Sequence, residues 1–216
     1  MFETANYSSS VAELIARELP TVPRTLVLTG GTTAEKVYED LANRPIELAD
    51  MMIFFSDERC VPPTHEESNF KMVKRTLRGA SAANIHRMRG EDPPEEGAAA
   101  YDRELTPFED VGFDLVLLGM GADCHIGAIF PGSPALDEPA LCAAVDRPDG
   151  MQGLTLTGRS ITLGKQTLVL VSGEPKAEAV RRVLHGDEEP ATCPARLLAN
   201  TTGVKFLLDE GAASLL

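Results

Sequence analysis

Residues Phe113 to Ser133 read FDLVLLGMGADCHIGAIFPGS, and this stretch decides the fold. Its first six residues, Phe113-Asp114-Leu115-Val116-Leu117-Leu118, make a nearly continuous apolar run that ends at glycine. Such a run suits a parallel strand covered on both faces. Gly119-Met120-Gly121 then lets the backbone approach a ligand closely. Asp123 and His125 follow at once, and Phe130-Pro131-Gly132 comes soon after. In open α/β sheets, ligands bind just beyond the carboxyl ends of the strands. Imidazole is the side chain suited to moving protons near neutral pH. A loop histidine taken alone is most often structural. With the strand, the glycines and Asp123 around it, a functional histidine is expected.

Working outward, the same strand–loop–helix grammar recurs. Ser8-Ser9-Ser10 offers an N-cap to a helix carrying Val11, Leu14, Ile15 and Leu19, closed by Pro20. After Pro23-Arg24, Thr25-Leu26-Val27-Leu28 reads as a short buried strand, and a helix is expected from Ala34 to Leu41. Between them lies Thr29-Gly30-Gly31-Thr32-Thr33. Strand, Gly-Gly-Thr-Thr, helix is a phosphate-binding arrangement: amides converge, hydroxyls donate, and the helix N-terminus favours an anion. It lacks the Lys of a P-loop and the G-x-G-x-x-G spacing of a dinucleotide fold, so a sugar phosphate fits better than a nucleotide. A glycine turn with a threonine cap is the plainer alternative.

Met51–Phe55 is the next strand, and it ends in Ser56-Asp57-Glu58-Arg59. Charged residues at a strand's carboxyl end stand where such folds place chemistry. Arg59 has the fork geometry for a phosphate or carboxylate. Ser68-Asn69 opens a helix through Leu77, with a stop near Gly79. Asn84–Met88 reads as a short strand, Glu91–Glu96 as a polar loop whose charge run reads as a solvated helix start, and Gly97–Phe108 as a helix. Pro134–Gly150 reads as irregular. Gly153–Thr157 alternates like a strand, Ile161–Gln166 links, and Thr167–Ser172 is a further buried strand. Lys176 opens the helix that runs to about Leu184. A cation there is unfavourable to the helix dipole and suggests an anionic partner. A short helix (Ala195–Leu198) and a last strand (Val204–Leu208) close the chain. Strands alternating with helices give α/β with a largely parallel sheet.

Composition narrows the function classes. The chain has 216 residues and a net charge of −13, which opposes nucleic acid and anionic membrane surfaces. Only six of the 20 basic residues are Lys, a surface compatible with a high-salt setting. No apolar stretch is long enough for a membrane span. MFETANYSSS shows no signal-peptide pattern, so a cytoplasmic location is expected. The four cysteines (Cys60, Cys124, Cys142, Cys193) form no C-x-x-C pair, and reduced thiols without a metal site are expected. Cys124 beside His125 reads as a small residue filling a tight loop rather than as a nucleophile.

Four tracts in order resemble the 6-phosphogluconolactonase family of the glucosamine-6-phosphate isomerase/6-phosphogluconolactonase superfamily. They are LTGGTTAEKVYEDLA (28–42), SDERCVPPTHEESNF (56–70), FDLVLLGMGADCHIGAIFPGS (113–133) and GLTLT…VSGEPK (153–176). The resemblance implies a three-layer α/β/α Rossmann-like fold with a mainly parallel central sheet and a small additional α/β lobe, shared with glucosamine-6-phosphate deaminases and ribose-5-phosphate isomerases. It implies one domain over 1–216 and a carboxylic ester hydrolase opening 6-phospho-D-glucono-1,5-lactone. His125 would be the general base, with Asp123 or Asp57 in support. Gly30, Gly31, Thr32, Thr33, Arg59 and Lys176 would hold the phosphate. No cofactor or metal is implied, the partner is a small sugar phosphate, and a monomer or weak homodimer is expected. Arg59 and Phe130-Pro131-Gly132 favour the lactonase over a deaminase; a sugar-phosphate-binding regulator is the remaining alternative. The chain departs from the family loop G-x-D-G-H-T-A-S at Cys124 and Ile126-Gly127-Ala128. Gly153 stands where the family has a basic residue, and the spacing of Arg159 does not replace it.

Overall fold

The computed structural model describes residues 1–19, 25–77 and 84–216. The strands are β1 (Thr25–Leu28), β2 (Met52–Phe55), β3 (Asp57–Arg59), β4 (Phe113–Gly119), β5 (Cys142–Asp146), β6 (Gln152–Leu156), β7 (Gly164–Val171) and β8 (Val204–Leu208). The helices are α1 (Tyr7–Glu18), α2 (Thr32–Leu41), α3 (Asn69–Thr76), α4 (Pro94–Leu105), α5 (Gly158–Ile161), α6 (Ala177–His185) and α7 (Arg196–Ala199).

Five strands form a parallel central sheet in the order β2-β1-β4-β7-β8. Its side chains alternate between two cores, as the two-residue period of a strand requires. Leu26, Leu28, Ile53, Phe55, Leu115 and Leu117 face a core closed by residues of α1, α2 and α3. Val27, Phe54, Val116, Leu118, Val169 and Val171 face the opposite core, closed by residues of α4, α6 and α7. Each such fully buried side chain contributes roughly 1.5–3 kcal/mol. This is the expected three-layer architecture, and it explains why β4 and β7 read as unbroken apolar runs. The additional lobe is a three-stranded antiparallel sheet, β3-β6-β5, against which α4 packs.

The chain leaves β1 toward β2 and later returns to place β4 on the other side of β1. The loops after β1 and β4 therefore diverge and open a crevice at the switch point. They touch at their roots, where the Gly119 N–H donates to Thr29 Oγ1 at 3.3 Å.

Several local expectations shift. α1 starts at Tyr7, ahead of the serines, because the buried Tyr7 hydroxyl donates to the Leu207 carbonyl at 2.8 Å. α2 begins at Thr32 rather than Ala34. α4 begins at Pro94, within the charge run read as a solvated helix start and three residues before Gly97, and proline suits the first helical turn. Asn84–Met88 forms no strand, only an isolated bridge from Ile85 to Ile53. The span taken as irregular contains β5, whose CAAVD sequence has no strand pattern of its own and is held by pairing with β6. β7 starts at Gly164 through pairing with Phe113, three residues before the apolar run. The helix stops at Pro20 and Gly79, and Pro23-Arg24, lie outside the described residues. No described helix is long and apolar enough to cross a membrane.

Candidate active site

The crevice at the switch point is an open cleft with about 700 Å³ of empty space, part of it continuous with solvent. Three segments line most of it: the loop after β1, the turn into β3, and the loop after β4. Gly30, Gly31, Thr32, Thr33, Asp57, Arg59, His125 and Lys176 all face this one cleft. Asp123 joins it through its bond to His125.

The loop after β1 is fixed from below and from the side. The buried Tyr38 hydroxyl accepts from the Thr29 N–H and donates to the Thr29 carbonyl, both at 3.1 Å. Thr33 Oγ1 lies 3.0 Å from Ser172 Oγ, tying this loop to the turn that carries Lys176. That turn is braced in its own right: the buried Asp209 carboxylate accepts from the Gly173 N–H at 2.9 Å and from the Ala212 N–H at 2.7 Å. Lys176 is the residue on which α6 starts. It has no salt-bridge partner among the described residues, and burial lowers its pKa while Asp123 opposes that shift. An ammonium left without a partner at a helix start has electrostatic capacity for an anion.

In the loop after β4, His125 Nδ1 lies 2.6 Å from Asp123 Oδ1, and the His125 backbone N–H donates to the same oxygen at 3.2 Å. The imidazole hydrogen bond holds Asp123 down at about 2, so the carboxylate is ionised and accepts the Nδ1 proton. In the neutral ring, that leaves Nε2 with the lone pair. A Cβ on Gly121 would stand 2.1 Å from Nδ1 and 2.3 Å from Asp123 Oδ1, so only glycine permits the pair. The His125 ring also packs on Phe130, with centroids 4.6 Å apart.

Asp57 takes a different part. It accepts from Ser56 Oγ at 2.8 Å and from Asn69 Nδ2 at 3.2 Å, with no bond to His125. Of the two aspartates proposed to support the imidazole, geometry joins only Asp123 to it. Glu58 is buried and accepts from the Arg59, Asn69 and Phe70 N–H groups and from Ser68 Oγ, which caps α3. Arg59 donates to the Glu67 carbonyl and reaches the Glu67 carboxylate at 3.3 Å, while its buried Nε has no partner among the described residues. A buried donor with an unmet bond is uncommon and marks a place for an acceptor.

Cys124 has φ 70°, the left-handed conformation that favours glycine, which accounts for why a glycine suits this place in the family pattern. Its thiol is buried, and desolvation pushes it up to about 12, far from a reactive thiolate. Ile126 and Ala128 turn into the core rather than the cleft. Arg159 donates to the Pro139 carbonyl at 2.7 Å and pairs with Glu109, away from the cleft.

Sequence reasoning missed two lining residues. Asn69 reads as a helix start, yet it donates to Asp57 through Nδ2 and its Oδ1 lies 2.0 Å from where a Cβ on Gly30 would stand, so it packs directly on the β1 loop. Arg147 lies in the span read as irregular and had no signal at all; it also lines the cleft. No three His, Cys, Asp or Glu side chains gather to hold a metal ion among the described residues.

The fold and site define a doubly wound α/β protein with a small-molecule cleft at its switch point. Residues 4–207 match the model of the family described as glucosamine-6-phosphate isomerases/6-phosphogluconolactonase, and the chain belongs to that family. It is 33% identical over 198 residues to a 6-phosphogluconolactonase of Synechocystis, covering 87% of this chain and 82% of the relative. It is 36% identical over 171 residues to one from Treponema pallidum, covering 73% and 71% of the two chains. The solved 6-phosphogluconolactonase of Trypanosoma brucei superposes with a TM-score of 0.86 at 25% identity, covering 100% of this chain and 96% of that one.

Proposed function

We propose that the chain is a carboxylic ester hydrolase that opens 6-phospho-D-glucono-1,5-lactone to 6-phospho-D-gluconate, within the oxidative branch of the pentose phosphate pathway. The observation that carries this reading is the His125–Asp123 pair, 2.6 Å apart, on the same cleft as the Gly30–Thr33 loop, Arg59 and Lys176. A lactone bearing a phosphate dianion needs both halves.

The phosphate rests against the Gly30–Thr33 amides and hydroxyls, with Arg59 and Lys176 supplying positive charge. His125 Nε2 takes a proton from a water as its oxygen adds to the lactone carbonyl carbon. The tetrahedral adduct then collapses, the bond from that carbon to the ring oxygen breaks, and the imidazolium returns the proton to the leaving oxygen. Asp123 holds the imidazole in the tautomer this needs and stabilises the charge it acquires. A positioned general base is worth roughly 10²–10⁴-fold. The substrate is a small sugar phosphate, the protein acts in the cytoplasm, and residues 1–216 work as one unit.

A coupled assay following lactone loss above its spontaneous rate tests the reading. Hydrolysis that requires His125 is expected. A wild-type protein that leaves the spontaneous rate unchanged would refute it, and release of ammonia from glucosamine 6-phosphate would point to the deaminase branch.

A further inference from the structure

Arg147 follows Asp146, the last residue of β5, at the mouth of the hairpin that leads into β6. The turn is closed by the Arg147 N–H to the Met151 carbonyl at 2.9 Å and the Gly150 N–H to the Arg147 carbonyl at 3.0 Å. A turn arginine is ordinarily a solvated one. Here the side chain is only 10% exposed. It runs across the small sheet instead of away from it, and Gly153 makes the path: a Cβ on Gly153 would meet Arg147 Cδ at 3.1 Å and Cγ at 3.5 Å. Residue 153 pairs with Arg59 across β3 and β6, so the stem of Arg147 lies beside the strand that carries Arg59. Arg147 thereby reaches the cleft lined by Arg59, Lys176 and His125.

Two contacts hold the guanidinium there. Its Nε and Nη2 donate to Asp149 Oδ2 at 3.1 and 3.0 Å. Its carbon stands 5.4 Å from the centre of the Phe130 ring, whose other neighbour is the His125 imidazole. Asp149 uses one edge of the fork, and Nη1 has no bond among the described residues. Guanidinium is built to meet a second anion through such a remaining edge. The protein carries −13 overall, so an anionic substrate approaches against the global field and depends on local cations.

We propose that Arg147 is a further substrate-binding residue of this cleft: passing over Gly153, its guanidinium joins Arg59 in contacting the substrate's phosphate and sets the preference for phosphorylated over unphosphorylated lactone. The inference rests on the lactonase reading, and it assigns the role to the cation itself, with Asp149 and Phe130 as its holders.

Arg147→Met keeps the stem over Gly153 and Phe130 and removes the charge. The expected result is a rise of about 10–100-fold in KM for the phosphorylated lactone with kcat changed by less than about 3-fold, the scale of one lost charge-assisted contact. The ratio of kcat/KM for phosphorylated lactone over unphosphorylated glucono-1,5-lactone should fall by a similar factor. Calorimetry with 6-phosphogluconate should show the same loss of affinity without any turnover. The double variant Arg147→Ala, Gly153→Arg removes the stem that a Cβ at 153 would meet, places a guanidinium on the vacated path and should recover at least part of that affinity. Unchanged KM, substrate ratio and product affinity in a folded Arg147→Met protein would overturn the proposal and leave Arg147 a brace for the hairpin. A fall in kcat alone would also overturn it, by showing that Arg147 acts through Phe130 on the imidazole. If the wild type binds 6-phosphogluconate in an Arg147-dependent way yet opens no lactone, the lactonase reading fails and the anion contact stands.

Discussion

Two acidic turns flank the cleft, and the protein uses their carboxylates in opposite ways. In the loop after β4, Asp123 is about half exposed and spends its charge on a titratable partner, His125. At the start of β3, Asp57 and Glu58 are 6% and 3% exposed and spend theirs on fixed donors: serine hydroxyls, an asparagine and the N-terminal amides of α3. The first arrangement can change protonation during a reaction. The second cannot without breaking the scaffold, since each buried amide it satisfies would be left unpaired. Carboxylates on segments around one cleft thus differ according to whether their partner can give up a proton.

The largest expected effect lies on the first side of that division. His125→Ala should lower kcat by roughly 10²–10⁴-fold and leave affinity for 6-phosphogluconate within a few-fold, measured by the coupled assay and by calorimetry. Activity close to wild type would dissolve the contrast. Asp123→Asn should cost about 10–100-fold in kcat at nearly constant KM, as the loss of a group orienting a functional imidazole does. Should Asp57→Asn reproduce that kinetic loss in a fully folded protein, the roles assigned to the two aspartates are reversed.

Glu58→Gln should act on stability instead. Its amide group presents N–H to donors that need an acceptor, and a loss of about 1–3 kcal/mol in urea unfolding is expected, with kcat per folded molecule near wild type.

The pH dependence sharpens the comparison. The His125 hydrogen bond depresses Asp123 to about 2. Its stabilisation is therefore complete above the ordinary value of roughly 3.9 and disappears as pH falls toward about 2. Burial raises Glu58, against the pull of its hydrogen bonds. The burial penalty therefore offsets part of what those four bonds contribute as pH rises through the raised value. Denaturant midpoints between pH 6 and about 2.5 should show the gap between wild type and Asp123→Asn closing toward acid. A gap that stays constant would mean the pair does not hold in solution. The smallest effect belongs to Cys124→Gly. Relief of the left-handed backbone is worth about 1–2 kcal/mol and is offset by lost side-chain packing, so a net change within about 1 kcal/mol is expected in thermal melts.

Local pattern accounts for much of this molecule. The apolar runs of β1, β4 and β7 had to be buried on both faces, and Ser68 had to cap α3 because its hydroxyl accepts the Lys71 N–H. The Gly-Gly-Thr-Thr loop and Asp123-x-His125 were legible for the same reason: each is a short-range arrangement whose chemistry is complete within a few residues. Where long-range contacts overrode the pattern, reading failed. Tyr7 starts α1 early through an atom of β8, and β5 exists only as a partner of β6.

The sequence by itself determined that strands end in glycine-rich, ligand-facing loops and that an imidazole stands in one of them, because backbone freedom, apolar burial and hydrogen-bonding capacity are properties of residues and near neighbours. Only the tertiary structure decided which aspartate meets His125, that Asn69 packs against Gly30 of the β1 loop, and that Arg147 crosses Gly153 into the cleft. Those facts depend on distances between segments far apart in the chain, and such distances are set by the packing of the sheets.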